Sequence, residues 1–218
     1  MTYDEVRSDR AVQVYIAQAD ASLEALGFTE HNLAHVTKVA ETAADILETL
    51  GYDARTVELA KISGFLHDIG NVVNRVDHSQ SGAVMAFRIL DRMDFPPEEI
   101  AAIVTAIGNH DEGTGVPVSD LAAALILADK SDVRRSRVRR KEDIKTDIHD
   151  RVNYSVTGCN LVVKPKEKII ALSMEVDTDV SPVMEYLEIF MKRMLLCKKA
   201  AKKLNCEFRL TINSQRLV

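Results

Sequence analysis

Apolar residues recur at helical spacing through the first two thirds of the chain. With N-capping residues, prolines and terminal glycines as boundaries, the pattern predicts six helices. No strand pattern precedes residue 150, so we expect residues 1–150 to form a helical bundle. The predicted helices begin near Asp9, Thr29, Asp53, His78, Pro97 and Ser119, and the last of them continues to about Val133.

The periodicity changes near Arg151. Residues 154–163 and 168–177 are typical of strands, residues 181–204 of a long helix, and residues 206–213 of a further strand. The order β-β-α-β predicts a small α+β subdomain over residues 151–218 that could mediate dimerisation or control substrate access. The predicted fold class is therefore mainly α, with a helical bundle and a small C-terminal α+β appendage.

Composition adds constraints on location and partners. The net charge of −5 and the scarcity of aromatic residues argue against a function as a nucleic-acid coat. No apolar stretch is long enough to cross a membrane, and the N-terminus does not resemble a signal peptide. Three cysteines without metal-type spacing suit a reducing compartment, so we expect a cytoplasmic protein.

A His67-Asp68 doublet ends the third predicted helix, and Gly70 stops it. A buried imidazole and carboxylate are costly unless they are satisfied, and a divalent metal ion would satisfy both. The alternative is a core histidine with a capping aspartate. Other helices offer similar groups, each at a helix end or at one polar position on an apolar face. These further candidate ligands are His35, His78, His110 and Asp129.

The order of these residues in their helical context resembles the HD-domain superfamily of metal-dependent phosphohydrolases, over about residues 29–135. Residues 78–83 and 109–115 are similar to the bacterial diadenosine-tetraphosphate hydrolases and to the HD-GYP cyclic-dinucleotide phosphodiesterases. The HD-GYP branch usually has paired histidines where this chain has Asn109-His110, and a lysine where it has Asn71. Both departures weaken an assignment to cyclic dinucleotides.

The resemblance implies a site for two divalent metal ions, with Asp68 as the bridge and a catalytic residue. Mixed imidazole and carboxylate ligands suit Fe, Mn, Ni, Zn or Co, and Mg could also bind. Two such ions can activate a water for in-line attack on phosphorus. The resemblance assigns His35, His67 and Asp129 to one ion, and His78 and His110 to the other.

His31 lies four residues before His35, on the same helix face. It could be an additional ligand or contact the substrate, or it could be an exposed first-turn residue.

A basic run, residues 130–141, follows Asp129. A few cations at a helix end complement its dipole, but five arginines exceed that need. Arginine forks bind phosphate oxygens, so we predict that Lys130, Arg134 and Arg135 face the cleft and bind the substrate. Asp132 is predicted to act in catalysis, either by bonding a metal-bound water or by orienting a ligand.

The sequence therefore predicts a metal-dependent phosphohydrolase that cleaves a phosphate ester or anhydride, with a nucleotide or dinucleotide as the expected substrate. Its expected partner is a phosphorylated small molecule, and it could form a homodimer. One alternative is a non-catalytic nucleotide-binding signalling module of the same fold. Another is an RNA-associated protein that uses the cluster Arg134–Arg140.

Overall fold

The computed structural model describes residues 1–139 and 147–218. Up to residue 155 the described residues form helices joined by loops and turns, and the first strand in the described part begins at Val156. The mainly α fold predicted from the sequence is confirmed. In chain order the helices of the bundle are α1 (Tyr3–Ser8), α2 (Arg10–Ala25), α3 (Leu33–Thr49), α4 (Ala54–Leu66), α5 (His78–Arg92), α6 (Pro97–Gly108), α7 (Asp120–Lys130) and α8 (Ile148–Ser155).

Side-chain caps fix where several of these helices begin. The Asp53 carboxylate accepts hydrogen bonds from the amides that open α4, and the Ser119 hydroxyl accepts one from Ala122 at 3.1 Å. The expected cap at Thr29 is wrong, because α3 begins at Leu33 and Asn32 caps it. Residues 29–32 lead into that helix as a loop, whose Glu30 amide donates to the carbonyl of Arg137 at 2.9 Å.

Among the described residues, two α-helices lie outside the sequence prediction. Helix α1 has six residues, too few to show a period, and a capping box between Thr2 and Glu5 begins it. Helix α8 crosses the predicted domain boundary at residue 150. The division into residues 1–150 and 151–218 stays a prediction. Helix α7 ends at Lys130, three residues before the predicted end.

The elements of the C-terminal part are β1 (Val156–Lys164), β2 (Ile169–Val176), α9 (Val183–Lys203), β3 (Glu207–Ile212) and β4 (Gln215–Arg216). The strands form a sheet with the order β1-β2-β3-β4. Strands β1 and β2 are antiparallel, whereas β2 and β3 are parallel because α9 connects them. The β-β-α-β order is as predicted, and a two-residue strand follows it.

Helix α9 joins the sheet to the bundle. It packs against α7, whose residues 121–128 are buried on every face because α3, α4, α6 and α9 surround them. On its other side α9 covers buried residues of β2 and β3, among them Leu172 and Leu210, which lie opposite each other in the sheet. One helix of the C-terminal part therefore lies next to the interior of the bundle. Among the described residues, no helix combines the length and the apolar character needed to cross a membrane.

A close crossing of α3 and α4 brings two of the candidate ligands together. At the crossing, a Cβ on Gly64 would lie 2.6 Å from Ala40 Cα and 2.8 Å from Ala40 N. Only glycine fits at that distance, because the atoms it meets are backbone and cannot rotate away. His35 on α3 and His67 directly after α4 thus depend on Gly64 for their separation.

We expect Gly64→Ala to lower the free energy of unfolding by about 3 kcal/mol, because the added methyl forces two packed helices apart. Chemical denaturation followed by circular dichroism measures this change. Gly108→Ala is the matched control: its Cβ would meet nothing closer than 3.7 Å, so it should be neutral or stabilise by about 0.5 kcal/mol. Equal stabilities of the two variants would contradict the close crossing.

Candidate metal centre

The structure brings all of the predicted metal-ligating side chains together in the interior of the bundle. They come from α3, from the segment after α4, from the start of α5, from the segment after α6 and from α7. The four imidazoles are almost completely buried, and the two carboxylates are nearly so. These residues are His35, His67, Asp68, His78, His110 and Asp129.

Each of the four imidazoles is oriented by a hydrogen bond from its Nδ1. In three of them Nδ1–H donates to the backbone carbonyl three residues earlier. In the fourth, His35 Nδ1 donates to Asp132 Oδ2 at 2.8 Å. These bonds leave Nε2 facing the centre of the cluster, as in histidines that ligate metal. The carbonyl acceptors are Gly64 for His67, Arg75 for His78 and Ile107 for His110, at 2.8, 3.1 and 2.6 Å.

One group of ligand atoms surrounds the Nε2 atoms of His35 and His67. Asp129 Oδ1 lies 3.6 Å from each nitrogen, and Asp68 Oδ2 lies 3.5 and 3.2 Å from them. Both nitrogens are buried and lack a hydrogen-bond partner among the described residues. Buried polar atoms are rarely left this way, and a cation between nitrogens and carboxylates would satisfy them all. The donor set therefore fits a divalent transition metal ion.

A second group lies on the other side of Asp68. His78 Nε2 is 3.5 Å from Asp68 Oδ1 and 3.2 Å from His110 Nε2. His67, Asp68 and His110 also present ligand atoms within 4.8 Å of one another. Asp68 thus directs one oxygen toward each group, and Asn71 Nδ2 donates to Oδ1 at 2.9 Å. The assignment of Asp68 as a bridge between two ions stays a prediction.

The buried carboxylates are ionised because positive groups surround them. Burial by itself would raise the pKa of Asp68 and Asp129, but His67 and His35 hold that of Asp68, and Lys130 that of Asp129, well below the usual range. Burial would likewise lower the pKa of His67, yet Asp68 and Asp129 raise it to about 10. In the metal-free protein, a proton on His67 supplies positive charge where a metal cation would otherwise do so.

The pKa of His110 is shifted in the opposite direction, downward. Burial, together with the positive charge of His67 and Lys130, lowers its pKa to about 3. His110 is therefore neutral at physiological pH, which a ligand nitrogen requires.

Asp132 lies behind His35 rather than at the centre of the cluster. Besides His35, it contacts Arg134 Nε at 2.7 Å through Oδ1. Burial would raise its pKa, but His35 and Arg137 lower it to about 2. Of the two roles considered from the sequence, these contacts correspond to orienting a ligand.

A cavity of about 410 Å³ opens over the cluster. Asp68, His78 and Asp129 contribute to its wall, and so does His31, whose Nδ1 donates to the Thr29 carbonyl at 2.7 Å. The volume is typical of a site for a small molecule. Positively charged side chains of the cavity are Arg75, Lys130, Arg137 and Arg193.

The three predicted phosphate-binding residues lie in three different places in the structure. Lys130 lines the cavity, but its Nζ is bound by Asp129 Oδ2 at 2.7 Å and Glu112 Oε2 at 2.6 Å. Arg134 lines a second cavity of about 300 Å³ between α3 and β1. Arg135 donates to the Tyr154 carbonyl and pairs with Asp177. The structure does not bring Arg134 and Arg135 to the metal cluster, so their substrate role stays a prediction without geometric support.

The rest of the basic cluster also has intramolecular partners. Arg137 donates to the carbonyls of Glu30 and Asp132 at 2.8 and 2.7 Å. Arg139 pairs with Asp20. Arg140 and Lys141 lie outside the described residues. The described arginines therefore tie the segment after α7 to its neighbours, which leaves fewer of them for RNA phosphates.

Several charged residues of the cavity were missed from the sequence, among them Arg75, Glu112 and Arg193. Arg75 stands three residues before His78, and Glu112 two residues after His110, so closeness to a ligand was an available signal for both. Arg193 carries no such signal, because it lies on α9 and reaches the cavity only through the packing of α9 on α7.

Comparisons with known proteins match this chain to one family. The family model described as HD domain matches residues 32–150, which is more than half of the chain. The uncharacterized protein MJ1020 of Methanocaldococcus jannaschii is 28% identical over 162 residues, which cover 64% of this chain and 62% of that protein. The chain thus matches less than two thirds of that relative's length.

One solved structure is also similar. It is described as a predicted HD superfamily hydrolase from an uncultured Thermotogales bacterium. The sequence identity is 26% and the TM-score is 0.46, over 57% of this chain and 68% of that one.

We expect Asp68→Asn to bind no metal ion, because Asp68 offers an oxygen to both groups of ligand atoms. His110→Ala should keep an ion among His35, His67 and Asp129, which it leaves intact. Elemental analysis of the purified variants measures the stoichiometry. Asp91→Asn, a change at an exposed carboxylate, is the control. Full metal content in Asp68→Asn would contradict the central position of Asp68.

Metal affinity should rise with pH. A ligand nitrogen must be unprotonated, so below pH 10 an ion has to displace the proton of His67. Displacement of one proton makes the affinity rise about tenfold per pH unit between pH 6.5 and 8.5. Because the pKa of His67 is higher in the folded than in the unfolded protein, protonation of His67 stabilises the metal-free fold. This contribution is complete below pH 6.5 and is lost as the pH approaches 10.

Calorimetric titration with Mn²⁺ in buffers of different ionisation enthalpy measures the protons released. We expect at least one proton per ion bound at pH 8. An affinity that is independent of pH, with no proton release, would show that His67 is neutral in the metal-free protein.

Proposed function

The chain belongs to the HD domain family, and from this premise we propose that it is a metal-dependent hydrolase of a phosphate ester or anhydride. The expected substrate is a nucleotide or dinucleotide. One observation carries the proposal. Four imidazoles and two carboxylates, oriented inward, meet beside a cavity whose other charged groups include arginines.

The residues that would hold metal are the two groups on either side of Asp68. Divalent ions bound there would supply Lewis-acid chemistry, which polarises a phosphoryl oxygen and makes a bound water acidic enough to act as nucleophile. The donor set of nitrogen and carboxylate oxygen suits Mn, Fe, Co, Ni or Zn better than Ca.

The protein's own side chains would position the phosphate. Arg75 holds one terminal nitrogen 3.3 Å from Asn71 Oδ1 and 3.4 Å from His78 Nε2. Its Nε and its other terminal nitrogen donate no hydrogen bond to the described residues, so they can donate to phosphate oxygens. Lys130 neutralises Asp129 and Glu112, which lowers the repulsion that an anionic substrate would meet.

His31 is a candidate for contact with the leaving group or the rest of the substrate. Burial and the charge of Arg137 hold its pKa well below the usual range, so its ring is neutral. Because Nδ1–H is engaged by Thr29, Nε2 is left as a hydrogen-bond acceptor. A neutral acceptor suits a substrate hydroxyl better than a phosphate oxygen.

The non-catalytic alternative is less well supported, because a module that only binds a nucleotide has no need for six inward-facing ligand groups. We also propose a cytoplasmic location, supported by three cysteines that are all free thiols.

The test is a screen of the purified protein against nucleoside mono-, di- and triphosphates, dinucleotides and 4-nitrophenyl phosphate. We expect hydrolysis with added Mn²⁺, Fe²⁺, Co²⁺, Ni²⁺, Zn²⁺ or Mg²⁺, and none after treatment with a chelator. His67→Ala should reduce kcat at least 1,000-fold, a rough expectation for loss of an ion that activates the nucleophile.

Asp91→Asn provides the control, because it changes an exposed side chain that does not line the cavity. Stoichiometric metal without turnover of any phosphate compound would favour the non-catalytic module instead.

A further inference from the structure

We propose that Arg193, on α9, binds a second phosphate group of the substrate, beside the phosphate that reacts. The inference rests on the proposed function. It goes further, because it assigns to Arg193 the selection between substrates with one phosphate and substrates with linked phosphates. The residue lies outside residues 32–150, the part that matches the family.

The guanidinium of Arg193 is held in place with its outer edge free. Its Nε donates to Glu112 Oε1 at 2.9 Å. Its central carbon lies 4.5 Å from the centre of the Phe190 ring, so the plane is also supported by an aromatic face. Its terminal nitrogens donate no hydrogen bond within the part of the chain that the structure describes, and the residue lines the cavity.

A short chain of ion pairs connects Arg193 with the metal cluster. Glu112 uses one oxygen for Arg193 and the other for Lys130, whose Nζ lies 2.7 Å from Asp129 Oδ2. Arg193 is therefore separated from a candidate metal ligand by one acid and one lysine. Because Arg193 and the candidate ligands Asp68, His78 and Asp129 line the same cavity of about 410 Å³, its free edge can meet a neighbouring phosphate of a substrate that is bound at the cluster.

Neutralising Glu112 does not by itself require an arginine. Lys130 already contacts that carboxylate at 2.6 Å and also pairs with Asp129, so Arg193 balances two carboxylates against two cations, which a lysine at this position would also do. An arginine fixed through Nε offers its two terminal nitrogens as a pair, which matches two oxygens of one phosphate. A lysine would provide charge without this geometry, so the residue type argues for anion recognition.

The test compares Arg193→Gln and Arg193→Lys with the parent protein. Methylenediphosphonate, which has two linked phosphonates and resists hydrolysis, and inorganic phosphate are titrated calorimetrically into Mn²⁺-loaded protein. We expect both variants to lose affinity for methylenediphosphonate, about 10- to 100-fold for Arg193→Gln, as for loss of charged hydrogen bonds. Affinity for inorganic phosphate should not change.

Lys192→Gln is the matched control, because it removes one positive charge from the exposed face of the same helix. It should leave both affinities unchanged. Steady-state kinetics add a second readout: Arg193→Gln should raise KM for a nucleoside diphosphate with little change in kcat, and leave KM for 4-nitrophenyl phosphate unchanged.

Several outcomes would overturn the inference. They are failure of the parent protein to bind methylenediphosphonate, equal losses for both probes, and full recovery in Arg193→Lys. If Arg193→Gln does not fold, the affinities of Arg193→Lys are the test by themselves. Lysine keeps the positive charge but lacks the paired terminal nitrogens of the guanidinium.

Failure of the proposed function would be seen separately. In that case no phosphate compound is hydrolysed, while binding of methylenediphosphonate still depends on Arg193.

Discussion

The burial of carboxylates inside an apolar helical bundle is the constraint on which the rest of the structure depends. Asp68, Asp129 and Asp132 are ionised although they are shielded from water, so positive charge has to surround them. In the metal-free protein that charge comes from His67, Lys130 and the arginine side chains behind Asp132. Buried carboxylates that need so many positively charged neighbours are poorly suited to stabilising the fold by themselves. They are well suited to holding cations.

Local backbone geometry fixes the orientation of most of the cluster. Three of the histidines stand at or beside a helix terminus and donate Nδ1–H to the carbonyl three residues earlier, so secondary structure alone sets their tautomer and direction. His35 lies inside a helix, where its own carbonyls are engaged, and it needs Asp132 from a distant segment. The glycine at the crossing of α3 and α4 then brings His35 close to His67.

The C-terminal part contributes to the cavity as well as to the sheet. Because α9 crosses over between two parallel strands, one face covers the sheet and another packs on α7. Phe190 and Arg193 thereby reach the cavity beside Glu112 and Lys130. A helix outside the residues that match the family thus contributes to the wall of the cavity over the candidate metal ligands.

The sequence by itself determined the six longer helices of the bundle, the β-β-α-β order and the candidate ligands, because helical periodicity, capping residues and isolated polar positions on apolar faces are local properties. It also indicated Asp132 as a residue close to the cluster. It did not determine α1, α8 or β4, which are too short to show a period. Nor did it determine which basic residues line the cavity. Arg134 and Arg135 follow Asp129 closely in the chain, yet the end of α7 at Lys130 turns them toward α3 and Asp177. Arg193 is distant in sequence and lies at the cavity. Only tertiary packing decides such a placement, because the direction of a long side chain depends on the helices that meet around it.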